Sequence, residues 1–159
     1  MKRVVALLME NQPGALSRVV GLFSQRGYNI ESLIVAPTED PSLSRLTMTT
    51  EGDSKVVEQI TKQLNKLIDV VKVLDLSQED YIGRELLLIK LPSGKDVESE
   101  VDNLGGMILF KNQELLNAQF VGTSEEVDNI ISILEKVNPL EVVRTGLSGL
   151  SSTSKTLNI

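Results

Sequence analysis

The chain has 159 residues, enough for one domain or two small ones. Its 16 Lys+Arg against 22 Asp+Glu leave a formal charge of −6, a balance that works against a phosphate-backbone partner. His, Cys and Trp are absent, which excludes chemistry needing an imidazole base, a thiolate, the usual zinc ligands or a disulfide; the core must come from Val, Ile, Leu and Ala.

Val4 to Met9 is a continuous apolar run whose two alternating faces are both apolar, which predicts a central strand buried on both sides. After Glu10-Asn11-Gln12-Pro13-Gly14, a helical period begins with Leu16, Val19, Val20 and Phe23. Pro13 suits a first helical turn, and Gly27 stands where a helix C-terminus favours positive φ. Ile30 to Ala36 and the alternating segment around Leu46 and Met48 read as a hairpin across Pro37 to Ser42. Asp53 is a suitable N-cap for a second helix carrying Val57, Ile60, Leu64 and Leu67, and Val70 to Leu76 closes the unit as a strand.

The same order recurs. Glu85 to Leu91 reads as a strand, and Ser93 is placed to cap a short helix with Val97, Val101 and Leu104. Met107 to Phe110 and Leu115 to Val121 form a second hairpin. Thr123 and Glu126 make a capping box before Val127, Ile130, Ile131 and Leu134, Asn138-Pro139 stops that helix, and Leu140 to Val143 is the last strand. The expected fold is α+β, with two tandem ferredoxin-like βαββαβ domains at 1–77 and 78–159 and a polar boundary near Ser77 to Tyr81. The Ser, Gly and Thr-rich tail from Ser148 is expected to fray. A βαββαβ unit leaves one sheet face open, so the doubly apolar first strand predicts a cover from the second unit or another copy, and at least a homodimer.

The segment from Glu10 to Ile30 holds the candidate site. A loop feeding a helix N-terminus offers free N–H groups and the positive end of the dipole, which suit a carboxylate. Gly14 permits close approach to the backbone of Ala15 and Leu16, and Asn11 and Asn29 offer donors and acceptors for a small zwitterion. The same residues are also ordinary turn formers, and Ser17, Arg18, Ser24, Gln25 and Arg26 would then be a solvated helix face.

The segment ENQPGALSRVVGLFSQRGYNIESLIVAPTEDPSLSRLTMTT resembles the N-terminal ACT domain of the bacterial small, regulatory subunit of acetolactate synthase (acetohydroxyacid synthase). RGYNIESL followed by APTEDPSLSR is specific to that family, and the likeness continues through QLNKLIDV, Arg84 to Lys90 and Arg144-Thr145-Gly146. The stretch from Pro92 to Asn103 is shorter than the family's.

The resemblance implies a non-catalytic subunit that activates the large catalytic subunit and confers feedback inhibition by valine or another branched-chain amino acid. Thiamine diphosphate and Mg²⁺ then belong to that partner, and this chain carries no cofactor, metal or catalytic residue of its own. By the same resemblance, Asn11, Gly14 and Asn29 match valine-site positions, with Ala15, Leu16 and Ile30 adjoining, in a site between two ACT domains of a homodimer. Glu10, Glu31 and Asp40 are too scattered to argue for a metal site. No apolar run reaches the roughly 18 residues of a membrane span, and no cleavage signal follows Met1, so a soluble, cytoplasmic protein is expected. A free-standing amino-acid sensor acting on another protein is the alternative.

Overall fold

The computed structural model describes residues 2–78 and 80–157; Glu79, inside the expected boundary, lies outside them. Two units form. The first comprises the residues up to Ile82 together with those from Leu147 onward, and the second is Gly83–Gly146.

The first unit contains β1 (Lys2–Glu10), α1 (Ala15–Gln25), β2 (Ile30–Pro37), β3 (Leu43–Glu51), α2 (Ser54–Leu64) and β4 (Val70–Asp75), in the sheet order β2-β3-β1-β4. The second begins within β5 (Tyr81–Pro92) and continues through α3 (Lys95–Asn103), β6 (Met107–Lys111), β7 (Leu115–Gly122), α4 (Ser124–Leu134) and β8 (Glu141–Arg144), in the order β6-β7-β5-β8. Both are the expected βαββαβ arrangement. Strand β9 (Ser148–Ser151) then returns the chain to the first unit.

Local signals in the sequence act as expected. The Asp53 carboxylate accepts the Val56 N–H at 2.9 Å, and Thr123 with Glu126 forms the reciprocal capping box. Gly27 takes φ +68° after α1. In the first hairpin loop, Asp40 Oδ1 accepts the Ser42 N–H at 2.9 Å and the Ser42 hydroxyl at 2.7 Å, the side-chain turn its sequence favours. Two details differ. Gly94, not Ser93, precedes α3, and Pro13 lies in the turn ahead of the Gly14 N-cap instead of inside the helix.

Strand β1 is buried on both sides, as its composition requires. Val5, Leu7 and Met9 face the helices and pack with Val19, Phe23, Val57, Ile60 and Leu64. Val4, Ala6 and Leu8 face the other way and are covered by Leu76, Leu147 and Leu157. This corrects two expectations, since the tail is packed as far as Leu157 and the second sheet face has a cover within its own chain. The cause is the placement of Leu147 and Leu157, two apolar residues at the ends of a polar segment, over an otherwise wet apolar surface. The first unit therefore extends beyond 1–77 to include the tail.

Leu147 is 4% exposed, and Leu147→Ala is expected to destabilise the first unit by about 2–4 kcal/mol through lost burial and the cavity left behind. Urea denaturation should show one destabilised transition with the second unit's transition unmoved.

Candidate functional site

Gly14 caps α1 at φ +90°, a left-handed conformation that glycine adopts without a steric penalty. No side chain caps this helix, and its first turn holds no acidic residue. The other helices differ: α2 has its Asp53 cap, α3 has Asp96 and Glu98 in its first turn, and α4 has its capping box. Ala15 N–H donates to the Gln12 carbonyl at 3.2 Å, and the Ala15 side chain is fully buried. Among the described residues, no hydrogen bond occupies the Leu16 and Ser17 amides, so these two N–H groups remain at the positive end of the helix.

A cation stands over the same point. The Arg18 Nη1 atom lies 2.9 Å from where a Cβ on Gly14 would sit. Its other two nitrogens hold Asp69 in a fork: Nε donates to Oδ2 and Nη2 donates to Oδ1 at 2.7 Å. Gln12 Nε2 donates to the same Oδ1 at 2.8 Å, and Glu10 N–H donates to the Asp69 carbonyl at 2.8 Å. The Asp69 side chain is 1% exposed and the Arg18 side chain 46%. The pairing with Arg18, helped by Gln12 and opposed by desolvation, holds the Asp69 carboxyl at about 2, below its ordinary 3.8.

This clamp fixes the loop between β1 and α1 to the start of β4. From the sequence alone Arg18 is by default part of a solvated helix face, with nothing local to pair it with Asp69. The available signal was Asp69 itself, one carboxylate beside Ile68 and ahead of the apolar Val70-Val71, a place where charge persists only if paired. The second unit repeats the device: Glu85, 3% exposed, accepts from Arg144 Nη2 at 2.7 Å and from the Ser124 hydroxyl at 2.6 Å.

The two asparagines are held apart. Asn11 leaves β1 with its N–H on the Ser42 carbonyl at 2.7 Å and its Nδ2 on the Pro41 carbonyl at 2.9 Å. Asn29 precedes β2 and accepts the Thr50 hydroxyl on its backbone carbonyl at 2.6 Å. Glu10 pairs with Leu43 at one end of β3, while Ile30 and Arg3 both pair with Thr50 at the other. At ~3.3 Å per residue, the strand length between Arg3 and Glu10 separates the asparagines by about 23 Å. Within one chain, Asn11, Gly14 and Leu16 share one end of the sheet, and Asn29 and Ile30 lie at the opposite end.

The fold and this loop define a class: a tandem ferredoxin-like protein with an ACT domain first. Residues 5–72 match the family described as the AHAS small subunit-like ACT domain, and residues 84–153 match the small subunit of acetolactate synthase. The chain is 48% identical to the acetolactate synthase isozyme 3 small subunit of Escherichia coli, and 47% identical to that of Salmonella typhimurium, with 98% of each chain covered in both cases. The crystal structure of the acetolactate synthase small subunit from Thermotoga maritima superposes with a TM-score of 0.88 at 32% identity, covering 98% of this chain and 99% of that one. The chain belongs to the acetolactate synthase small-subunit family. It is a regulatory, non-catalytic subunit by that membership, associated with a large subunit in branched-chain amino-acid biosynthesis.

The Asp69 clamp carries a pH signature. A lowered folded-state pKa means that its contribution to stability is complete above the unfolded value near 4 and is lost as pH falls toward about 2. The difference in melting temperature between the parent and Asp69→Asn should therefore be constant above about pH 5 and close between about pH 4 and 2.

Proposed function

We propose that this chain activates the acetolactate synthase large subunit and makes it sensitive to valine, or another branched-chain amino acid, bound at the start of α1. The observation that carries this reading is the uncapped helix start beside a cation: the Leu16 and Ser17 amides have no hydrogen bond among the described residues, Arg18 Nη1 lies close over Gly14, and the helix's first turn holds no acidic residue. An amino-acid carboxylate suits that helix start in charge and in its need for N–H donors. Asn11 beside it orients the ligand, and its aliphatic side chain enters an apolar seam next to Leu16. Thiamine diphosphate and Mg²⁺ chemistry belongs, in this reading, to the large subunit.

Two copies complete the site. Strand β2 is an edge of its sheet and exposes Val35 and Ala36. Antiparallel pairing of two β2 edges about a two-fold axis brings the partner's Asn29 and the partner's Ile30 to the sheet end that carries Asn11 and Gly14. The separation of the asparagines within one chain, awkward for a single-chain site, is what such a dimer needs.

The functional test is large-subunit activity with and without this chain across a valine titration: stimulation that valine removes supports the reading, and stimulation without any effector response limits it to activation. Gly14→Asp is expected to abolish the valine response, because it adds a carboxylate where the ligand's would sit; a Cβ there also meets Arg18 Nη1 at 2.9 Å on a backbone at φ +90°, so a melting curve beside the titration separates loss of the response from loss of the fold. Asn11→Ala and Asn29→Ala should each lose tight valine binding, by about 1–3 kcal/mol for an unsatisfied polar contact. Mixing the two variants as co-refolded dimers should restore one intact site per heterodimer, and because random pairing makes about half of the dimers heterodimers, calorimetry would read about a quarter of the parental stoichiometry. A site confined to one chain would show no recovery.

A further inference from the structure

The family-specific run APTEDPSLSR contains one residue that the effector site does not use. Arg45 lies on β3, opposite Leu8 of β1, and so faces the tail-covered side of the sheet. Its side chain is partly buried, and no salt bridge among the described residues engages it. Nη2 donates instead to the Gly149 carbonyl at 2.7 Å, 104 residues away in sequence. Two residues along the same strand face, the Thr47 hydroxyl accepts the Gly149 N–H at 3.3 Å. Both polar groups of the Gly149 peptide backbone are thus gripped by β3. A Cβ at Gly149 would meet Leu76 Cδ1 at 2.7 Å and Val4 Cγ1 at 3.5 Å, so the tail is seated as closely as a backbone can be.

β3 is also the strand to which both halves of the effector site are tied. Asn11 bonds to Pro41 and Ser42 just before it begins, and Thr50 near its end bonds to Asn29. We propose that Arg45 is a positioning residue of the regulatory response: it locks the 147–157 tail to β3, so that a ligand-dependent set of β3 is passed to a segment covalently continuous with the second unit. The proposal rests on the effector reading above. A shift can travel this way only if the ligand binds one β3 arrangement more tightly than the other.

The test uses the full chain reconstituted with its large subunit, with Arg45→Met, which keeps the aliphatic stem and removes the donor, and Arg45→Lys, which restores one. Valine is the probe, read by calorimetry on the small subunit alone and by activity of the complex. For Arg45→Met we expect valine affinity within about twofold of the parent, stimulation without valine retained, and the inhibition reached at saturating valine at least halved. Arg45→Lys should recover most of that inhibition. Gly149→Ala, which displaces the tail by driving a Cβ into Leu76 and Thr47, should reproduce the Arg45→Met pattern even if the latter folds poorly. Full inhibition in Arg45→Met and Gly149→Ala would overturn the coupling, as would a loss of valine affinity matching the loss of inhibition, which marks a purely structural role. A parent that binds no branched-chain amino acid would overturn the effector reading, and the coupling with it; that failure is visible in the parent alone.

Discussion

The double-sided burial of β1 is the constraint on which the first unit depends. Six consecutive apolar residues, Val4 to Met9, can be removed from water only if each sheet face receives its own cover. Two helices on one side meet half of the requirement and set the βαββαβ order. The other half is met in part by Leu76, directly after β4, and is completed by Leu147 and Leu157, more than 60 positions beyond the end of that strand, so the chain builds a second unit and then comes back. The tail's polar composition is consistent with this role: its main-chain groups bond to Arg45 and Thr47, while Leu147 and Leu157 supply the apolar weight.

The loop between β1 and α1 has a different problem, which is to present free amides without collapsing. A helix start lacking a cap would normally recruit water or a side chain. Here the loop is held by a buried carboxylate below it, Asp69, which engages Gln12 and Arg18 at once. Arg18 serves two ends: its fork neutralises Asp69, and its remaining nitrogen overhangs Gly14. For the proposed effector, a rigid loop would keep the ordering cost of binding low, since the free amides and Arg18 are already held in place.

Much of this was legible in the sequence, because the relevant signals are local. Apolar periodicity gave the helices, Asp53 and the Thr123–Glu126 pair marked helix starts, and the run of turn residues from Pro37 to Ser42 marked a hairpin. The resemblance of the RGYNIESL and APTEDPSLSR runs supplied the family. What could not be read was non-local. The Arg18–Asp69 fork joins residues 51 positions apart, and the Arg45–Gly149 bond joins residues 104 apart; neither has a spacing rule. The tail misled for the same reason, since Ser, Gly and Thr are as suited to lying flat across a sheet as to fraying, and only the position of the two leucines decides between them. For the site, sequence proximity grouped Asn11 with Asn29, whereas strand direction sends them to opposite ends of β3.

The return of the tail has a consequence for biosynthesis. The ribosome completes β1 to β4 and Leu76 early, but Leu147 and Leu157, which complete the cover over Val4, Ala6 and Leu8, are translated only after the whole of 83–146. At roughly 5–20 residues per second, that interval lasts seconds, far longer than the collapse of a small domain. A nascent first unit therefore spends those seconds with one apolar sheet face open to other nascent chains and to chaperones. Pairing of its β2 edge with a copy during that window would leave the face uncovered, so folding quality depends on the last segment made as much as on the first.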